Sequence, residues 1–247
     1  MFEWIASPEA WIALATLMAL EIVLGIDNII FISILVGRLP PEQREKARKL
    51  GISLAMLSRL ALLFGITWVM GLTQTWFSMF GNEISGRDVI LILGGLFLLA
   101  KSTHEIHNSL EGEEDAQGLG GAANFGAILI QIAILDIVFS LDSVITAVGL
   151  VDHLSIMVIA VLASVLVMLF AAKSIGDFVD AHPTIKMLAL SFLIMVGFTL
   201  VIEGFDVHVP KGYIYFAMAF SIAVEMLNIR LRKKRSDAVQ LRKSITE

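Results

Sequence analysis

The sequence has no cysteine. Disulfides, zinc–thiolate sites, iron–sulfur clusters and cysteine nucleophiles are therefore excluded. Charge is scarce as well. Asp, Glu, Lys and Arg make up 17% of the 247 residues, against about 25% in soluble globular proteins. Apolar residues fill the gap at 57%, where roughly 45–50% is usual. A cytosolic enzyme, a disordered chain or a secreted domain would need more polar surface than this. Enzyme signatures are missing too: there is no nucleophile elbow, no Gly-rich phosphate loop and no HExxH zinc motif. The GxGD signature of intramembrane aspartyl proteases is absent, GID and SLD standing where it would be expected.

What is present is a series of long hydrophobic runs. A bilayer-spanning helix needs about 20 mainly apolar residues. Seven stretches qualify, at 10–37, 50–72, 88–105, 125–150, 154–173, 185–203 and 211–229. The connections are short, with no room for a soluble domain. Residues 1–10 carry no Lys or Arg and no small-residue cleavage pattern follows, so the first run reads as a true span and not a signal peptide. The predicted fold is an all-α polytopic membrane domain over residues 1–230, followed by a basic tail at 231–247.

The net charge of −5 hides a segregation. With seven spans, Arg38, Arg44, Lys46, Arg48 and Lys49 of the first connection fall on one side, with the tail residues Arg230, Arg232, Lys233, Lys234, Arg235, Arg242 and Lys243 and with Lys101, Lys173 and Lys186. The other side receives only Arg87 and Lys211. The positive-inside rule then puts the N-terminus outside and the tail in the cytoplasm. The tail reads as an orientation signal in preference to a surface for anionic lipid or RNA.

Two segments repeat. Residues 21–31 read EIVLGIDNIIF and residues 136–146 read DIVFSLDSVIT. In register, Ile22, Val23, Asp27 and Ile30 match Ile137, Val138, Asp142 and Ile145, while Glu21 faces Asp136 and Asn28 faces Ser143. The paired acids matter most, because acids inside spans are rare. The copies lie three spans apart, so the halves at 10–105 and 125–203 would enter the membrane from opposite sides. That predicts an inverted 3+3 repeat with the helix at 211–229 as an extra. Such repeats recur in secondary transporters, with the substrate near the midplane.

Four lipid-exposed mid-span acids would cost on the order of 10 kcal/mol together. They must face protein, water, protons or a cation. Only Arg59 lies well inside a span, so protein cations cannot pair all four. Within each copy the acids are six residues apart, about 120° off one face and roughly 9 Å along a straight helix. Bending or unwinding near Gly25 and Ser140 is therefore expected, to gather the acids and free backbone carbonyls. Carboxylates, the Asn28 carbonyl, the Ser143 hydroxyl and backbone carbonyls are hard oxygen donors suited to Mn²⁺, Mg²⁺ or Ca²⁺. Asp27 and Asp142 are the more secure pair, Glu21 and Asp136 the outer one. Gln131 either lines the same path or bonds between helices. Arg59 reads first as a structural counter-charge and second as a path residue. Glu203 and Glu225, near span ends, are expected to snorkel. His104 and His107, followed by the acidic Glu111, Glu113, Glu114 and Asp115, read as a solvated segment before a cation entrance, and the methionines as packing residues.

At these residues the chain resembles the TerC family of integral membrane proteins. The resemblance rests on EIVLGIDNIIF, DIVFSLDSVIT, the GGLFLLAKSTHE stretch at 94–105 and the spacing of seven spans, and covers about 10–230. Family members are regarded as manganese exporters or metal-homeostasis proteins of the cytoplasmic membrane. The resemblance implies that Glu21, Asp27, Asn28, Asp136, Asp142 and Ser143 form the ion site. Relatives often carry cytoplasmic CBS domains after the membrane unit; with the sequence ending at Glu247, regulation by such domains is not expected. The first functional reading is export of a divalent cation, Mn²⁺ before others, in exchange for protons. The second is a non-transporting membrane partner that aids metalation or assembly of exported proteins. An intramembrane enzyme ranks last. Expected partners are the bilayer and the divalent ion, which is cargo and not a resident cofactor; no nucleic acid is expected. Topology is directly testable: a reporter fused after Glu247 should be active only as a cytoplasmic reporter, and a label near Ser78 should react from outside. An external C-terminus would overturn the seven-span orientation.

Overall fold

The computed structural model describes residues 7–79, 82–111, 124–151 and 153–236. The fold is all-α apart from one small hairpin. Helices α1 (Pro8–Val36), α2 (Pro41–Phe64) and α3 (Ile66–Gly71) are followed by strands β1 (Thr75–Met79) and β2 (Asn82–Ser85). Then come α4 (Gly86–Leu110), α5 (Phe125–Leu150), α6 (Leu154–Ala181), α7 (Pro183–Glu203) and α8 (Lys211–Ser236). Among the described residues, six helices are long and apolar enough to cross a membrane: α1, α4, α5, α6, α7 and α8. The protein is thus a polytopic membrane protein.

The second apolar run is organised differently from its sequence pattern. Its helix starts nine residues early, at Pro41, because proline fits the first helical position where no N–H partner is needed. Arg44, Lys46, Arg48 and Lys49 are consequently helical rather than looped, and Arg48 is buried. The run is then interrupted at Gly65. The short α3 beyond it buries Val69 against Leu72 and Leu141, with Leu62, Ile66, Ile90 and Ile145 packed around them. The hairpin after α3 has no counterpart in the hydrophobic pattern. Its antiparallel strands pair Phe77 with Ile84 and Ser78 with Glu83. It ends in a capping box: Ser85 Oγ accepts from Asp88 N at 3.3 Å while Ser85 N donates to Asp88 Oδ2 at 2.9 Å.

The chain divides into two units, Met1–Val209 and Pro210–Glu247. In the first, α1 packs along α6, α2 along α5 and α6, and α4 along α7. Close approaches give the directions. Gly25 of α1 lies against Met168 of α6, and eight residues on, Ser33 lies beside Gly176. The contacts advance together, so α1 and α6 are parallel. Gly51 meets Ile132 and Arg59 meets Asp136, so α2 and α5 are parallel also. In α4 and α7, Gly95 meets Gly197 while the earlier Asp88 and Ile92 meet the later Gly204, so this pair is antiparallel. In the second unit, α8 carries an apolar stretch with Phe216 and Phe220 stacked, their centroids 6.2 Å apart. The expected basic tail lies outside the described residues beyond Ser236.

Neither α1 nor α5 unwinds where the sequence predicts. Both are continuous through Gly25 and Ser140. Gly25 lacks a side chain to make room for Met168, and Ser140 spends its hydroxyl on a carboxylate one turn back, 3.1 Å away. Glu203 does not snorkel but is buried at 5% exposure, because α7 ends against α4. At the loop leaving α1, Arg38 Nη2 and Nε reach Glu105 Oε2 of α4 at 2.7 and 2.9 Å, with Lys101 3.3 Å from the other oxygen.

The α4–α7 crossing generates a stability test. A Cβ on Gly95 would sit 2.5 Å from the Gly197 carbonyl oxygen, and one on Gly197 would sit 2.9 Å from that of Gly95. Helices in membranes gain from such close backbone approach. Gly95→Leu should lower thermal stability in detergent by about 1–3 kcal/mol or more, the usual penalty of overpacking. Gly71→Ala, at a position with open space around it, should leave it unchanged. Equal melting temperatures for both variants would contradict the crossing.

Candidate functional site

The two acidic segments reach the interior from α1 and α5. Glu21 and Asn28 are seven residues apart on α1, about 20° from one face. Asp136 and Ser140, four apart on α5, also share a face. Helix α2 completes the site with Ser58 and Arg59. These three faces meet where Arg59 of α2 pairs with Glu21 of α1 and Asp136 of α5.

Arg59 is the hub. Its guanidinium is 2% exposed and Asp136 is 3% exposed, so water supplies almost none of their solvation. Nη1 pairs with Glu21 Oε2 of α1, and Nε and Nη2 each lie 3.4 Å from Asp136 Oδ1 of α5. Asp136 collects further donors. Asn28 Nδ2 donates to Oδ1 at 3.2 Å, and Ser140 Oγ to Oδ2 at 3.1 Å. Ser58 Oγ lies 2.6 Å from Oδ2 and 2.8 Å from the Ala55 carbonyl; its one proton favours the charged acceptor. A carboxylate has about four lone-pair sites, and here each is served. Two acids share the one Arg. Unpaired buried ions would cost several kcal/mol each, and Asn28, Ser58 and Ser140 add hydrogen bonds to Asp136.

A small cavity adjoins the cluster, lined by Asn28, Arg59 and Asp136 on one side and Met56, Val165 and Met168 on another. It has room for about one water-sized particle. Polar and apolar walls meet there, at the junction of α1, α2, α5 and α6.

The structure thus brings together Glu21, Asn28, Asp136 and Arg59 of the sequence-predicted residues. Ser143 is buried and its hydroxyl donates to the Ser140 carbonyl at 3.1 Å. Asp27 and Asp142 sit on the helical backbone beside Asn28 and Ser143, and their side chains lie outside the described residues. Gln131 lies one to two turns before Asp136 on α5, and its Oε1 is buried with no hydrogen-bond partner among the described residues. His104 and His107 are exposed on α4, His104 Nε2 being 3.2 Å from Asn108 Nδ2. Glu113, Glu114 and Asp115 lie outside the described residues. Glu225 accepts from Asn228 Nδ2 at 3.2 Å on α8. Among the described residues no group of three or more His, Asp or Glu is placed to hold a metal ion.

Two members of the cluster escaped sequence reasoning. Ser58 was readable only as a small polar residue beside Arg59. Ser140 was visible as the counterpart of Gly25, but its service to Asp136 follows from the i, i+4 spacing on an unbroken helix.

Residues 6–238 match the model of the integral membrane protein TerC family. A UPF0053 protein of Haemophilus influenzae is 60% identical over 94% of this chain and 99% of its own length. The UPF0053 inner membrane protein YgdQ of Escherichia coli is 63% identical over 95% of this chain and 98% of its own. The UPF0053 inner membrane protein YoaE of Escherichia coli is 52% identical over 92% of this chain, which spans 44% of it. No solved structure matches.

Proposed function

We propose that this chain, which belongs to the TerC family of integral membrane proteins, is a secondary transporter of the inner membrane that exports a divalent cation. Mn²⁺ is the favoured cargo and protons the counter-ion. The observation that carries this reading is the convergence of Glu21 and Asp136, the equivalent acids of the two repeated segments, on one buried point. Asp27 and Asp142 follow them by six residues on the same two helices. Together with Asn28, Ser143 and the pair Glu21 and Asp136 they would offer a hard-oxygen donor set suited to Mn²⁺.

The inverted 3+3 arrangement belongs to the same proposal. Counting α2 as the second crossing, α1 and α6 are the first and fifth, α2 and α5 the second and fourth, and α4 and α7 the third and sixth. Alternating crossings must then make the first two pairs parallel and the last antiparallel, as the contact directions do. On this reading a two-fold axis in the membrane plane would exchange the α1–α6 pair with the α5–α2 pair, and the reciprocal Gly95–Gly197 contact supports placing it between α4 and α7. On this reading residues 10–105 and 125–203 are the halves, α8 is an added crossing, and 231–247 is a cytoplasmic tail. Sites at such repeat interfaces suit alternating access.

Protons and metal compete for the same carboxylates, so a lower pH on the loading side should weaken metal binding, and an inward proton gradient should speed export. Mg²⁺ should be a poor cargo because it dehydrates reluctantly. The test uses purified protein in liposomes with a fluorescent metal indicator, comparing Mn²⁺, Mg²⁺, Ca²⁺ and Zn²⁺ with and without a pH gradient. Mn²⁺ flux should be largest and gradient-dependent. Asp27→Asn and Asp142→Asn should each reduce it to background while the protein stays folded. Flux indifferent to the gradient would remove proton exchange. No flux of any ion through folded protein would leave the non-transporting partner as the reading.

A further inference from the structure

The two halves are equivalent in their acids but not in their cations. The stagger that sets Gly25 against Met168 and Ser33 beside Gly176 also sets Glu21 level with Ser164 on α6. Ser164 is buried and its hydroxyl returns to the Val161 carbonyl at 2.8 Å. Arg59 on α2, level with Asp136, therefore has only a serine at the matching depth of the other half. One guanidinium serves an acid from each half.

It serves them unequally. Nη1 is given to Glu21, whereas the Asp136 oxygen that lies 3.4 Å from both Nε and Nη2 is shared with Asn28. Asp136 also has two serine hydroxyls to support it. Among the described residues Arg59 is the one cluster member that bonds Glu21, so Glu21 is the acid that needs Arg59 and Asp136 the one that can release it. The one-water cavity lies against Asp136, Asn28 and Arg59. A dehydrated divalent ion entering it would meet Asp136 and be repelled by Arg59.

We propose that Arg59 is a tethered cation that competes with the transported metal for Asp136. Resting on the transport reading above, this makes Arg59 a positioning residue and not a fixed brace. Without metal, the guanidinium bridges Glu21 and Asp136 and locks α1, α2 and α5 together. Metal at Asp136 displaces it, and it stays paired with Glu21. Its return to Asp136 helps expel the ion. Asymmetry is essential to this cycle: Glu21 retains the guanidinium, so that it moves by a short distance and never becomes an unpaired buried charge, which would be costly.

The test separates affinity from turnover, using Mn²⁺ binding in nanodiscs and Mn²⁺ flux in liposomes. Arg59→Gln removes the competitor, so Mn²⁺ should bind roughly ten-fold tighter, a coupling of ordinary size, while flux at saturating metal falls. Glu21→Gln leaves Arg59 with Asp136 alone, so Mn²⁺ should bind roughly ten-fold weaker by the same coupling. The double variant Glu21→Gln/Arg59→Gln decides the matter even if Arg59→Gln does not fold, because removing both partners of a buried pair is far milder than removing one. It should bind Mn²⁺ at least as tightly as wild type and still turn over slowly. Arg59→Lys, which keeps the charge but not the fork, should recover part of the flux that Gln loses. Folded Arg59→Gln that binds Mn²⁺ no more tightly than wild type, or a double variant as weak as Glu21→Gln alone, would overturn the proposal while leaving transport intact. Wild-type protein that neither binds nor moves Mn²⁺ would overturn the transport reading, and the role of Arg59 with it.

Discussion

A guanidinium and two carboxylates buried together constrain everything around them. Arg59 bridges α2 to α1 through Glu21 and to α5 through Asp136. In the low-dielectric interior this arrangement is tolerable only with satisfied geometry. The neighbouring choices follow from that need. Ser58 and Ser140 bring hydroxyls to Asp136, and Asn28 brings an amide. Gly25 lets Met168 of α6 come close above the cavity. Shift α2 by one residue along α5 and Arg59 loses both acids at once. The cluster therefore fixes the stagger of the parallel helices as well as the electrostatics of the interior.

The two kinds of helix contact in the first unit differ in what they permit. Gly95 and Gly197 bring the backbones of α4 and α7 together with no room for a side chain. Such a contact has one arrangement and no charge to rearrange. The junction of α1, α2 and α5 is held by ions and hydrogen bonds that can exchange partners. On the transport reading proposed above, a rigid pair beside an exchangeable junction would suit rocking of one helix group against another. At the end of α1, the Arg38–Glu105–Lys101 group adds an ionic tie between the loop after α1 and α4.

Much of this was legible in the sequence. The hydrophobic runs gave helices α4 to α8 within a few residues of their starts, because long apolar segments leave the backbone only one way to satisfy its hydrogen bonds in lipid. The repeat of EIVLGIDNIIF in DIVFSLDSVIT pointed to Glu21, Asn28 and Asp136. What failed had physical reasons. Helix α2 was cut short because the six charged residues within 42–49 broke the apolar run, although an amphipathic helix can bury Arg48 and expose Lys49. The hairpin at Thr75–Ser85 carries no strand-length alternation clear enough to read. The expected unwinding at Gly25 and Ser140 assumed that the acids must meet one another. Glu21 and Asp136 meet Arg59 instead, a long side chain from a third helix, and an unbroken α1 and α5 suffice to bring these two together. The burial of Glu203 was invisible because a residue near a helix end looks cheap until the packing of α7 on α4 is known.

The most direct measurement is the anomalous scattering of Mn²⁺ in an experimental structure of the metal-loaded protein, set beside a metal-free one. The account predicts manganese density at the cavity beside Asp136, with an Asp136 oxygen within ligand distance and Arg59 withdrawn onto Glu21. Manganese located elsewhere, or Arg59 still bridging Glu21 and Asp136 with the metal bound, would contradict it.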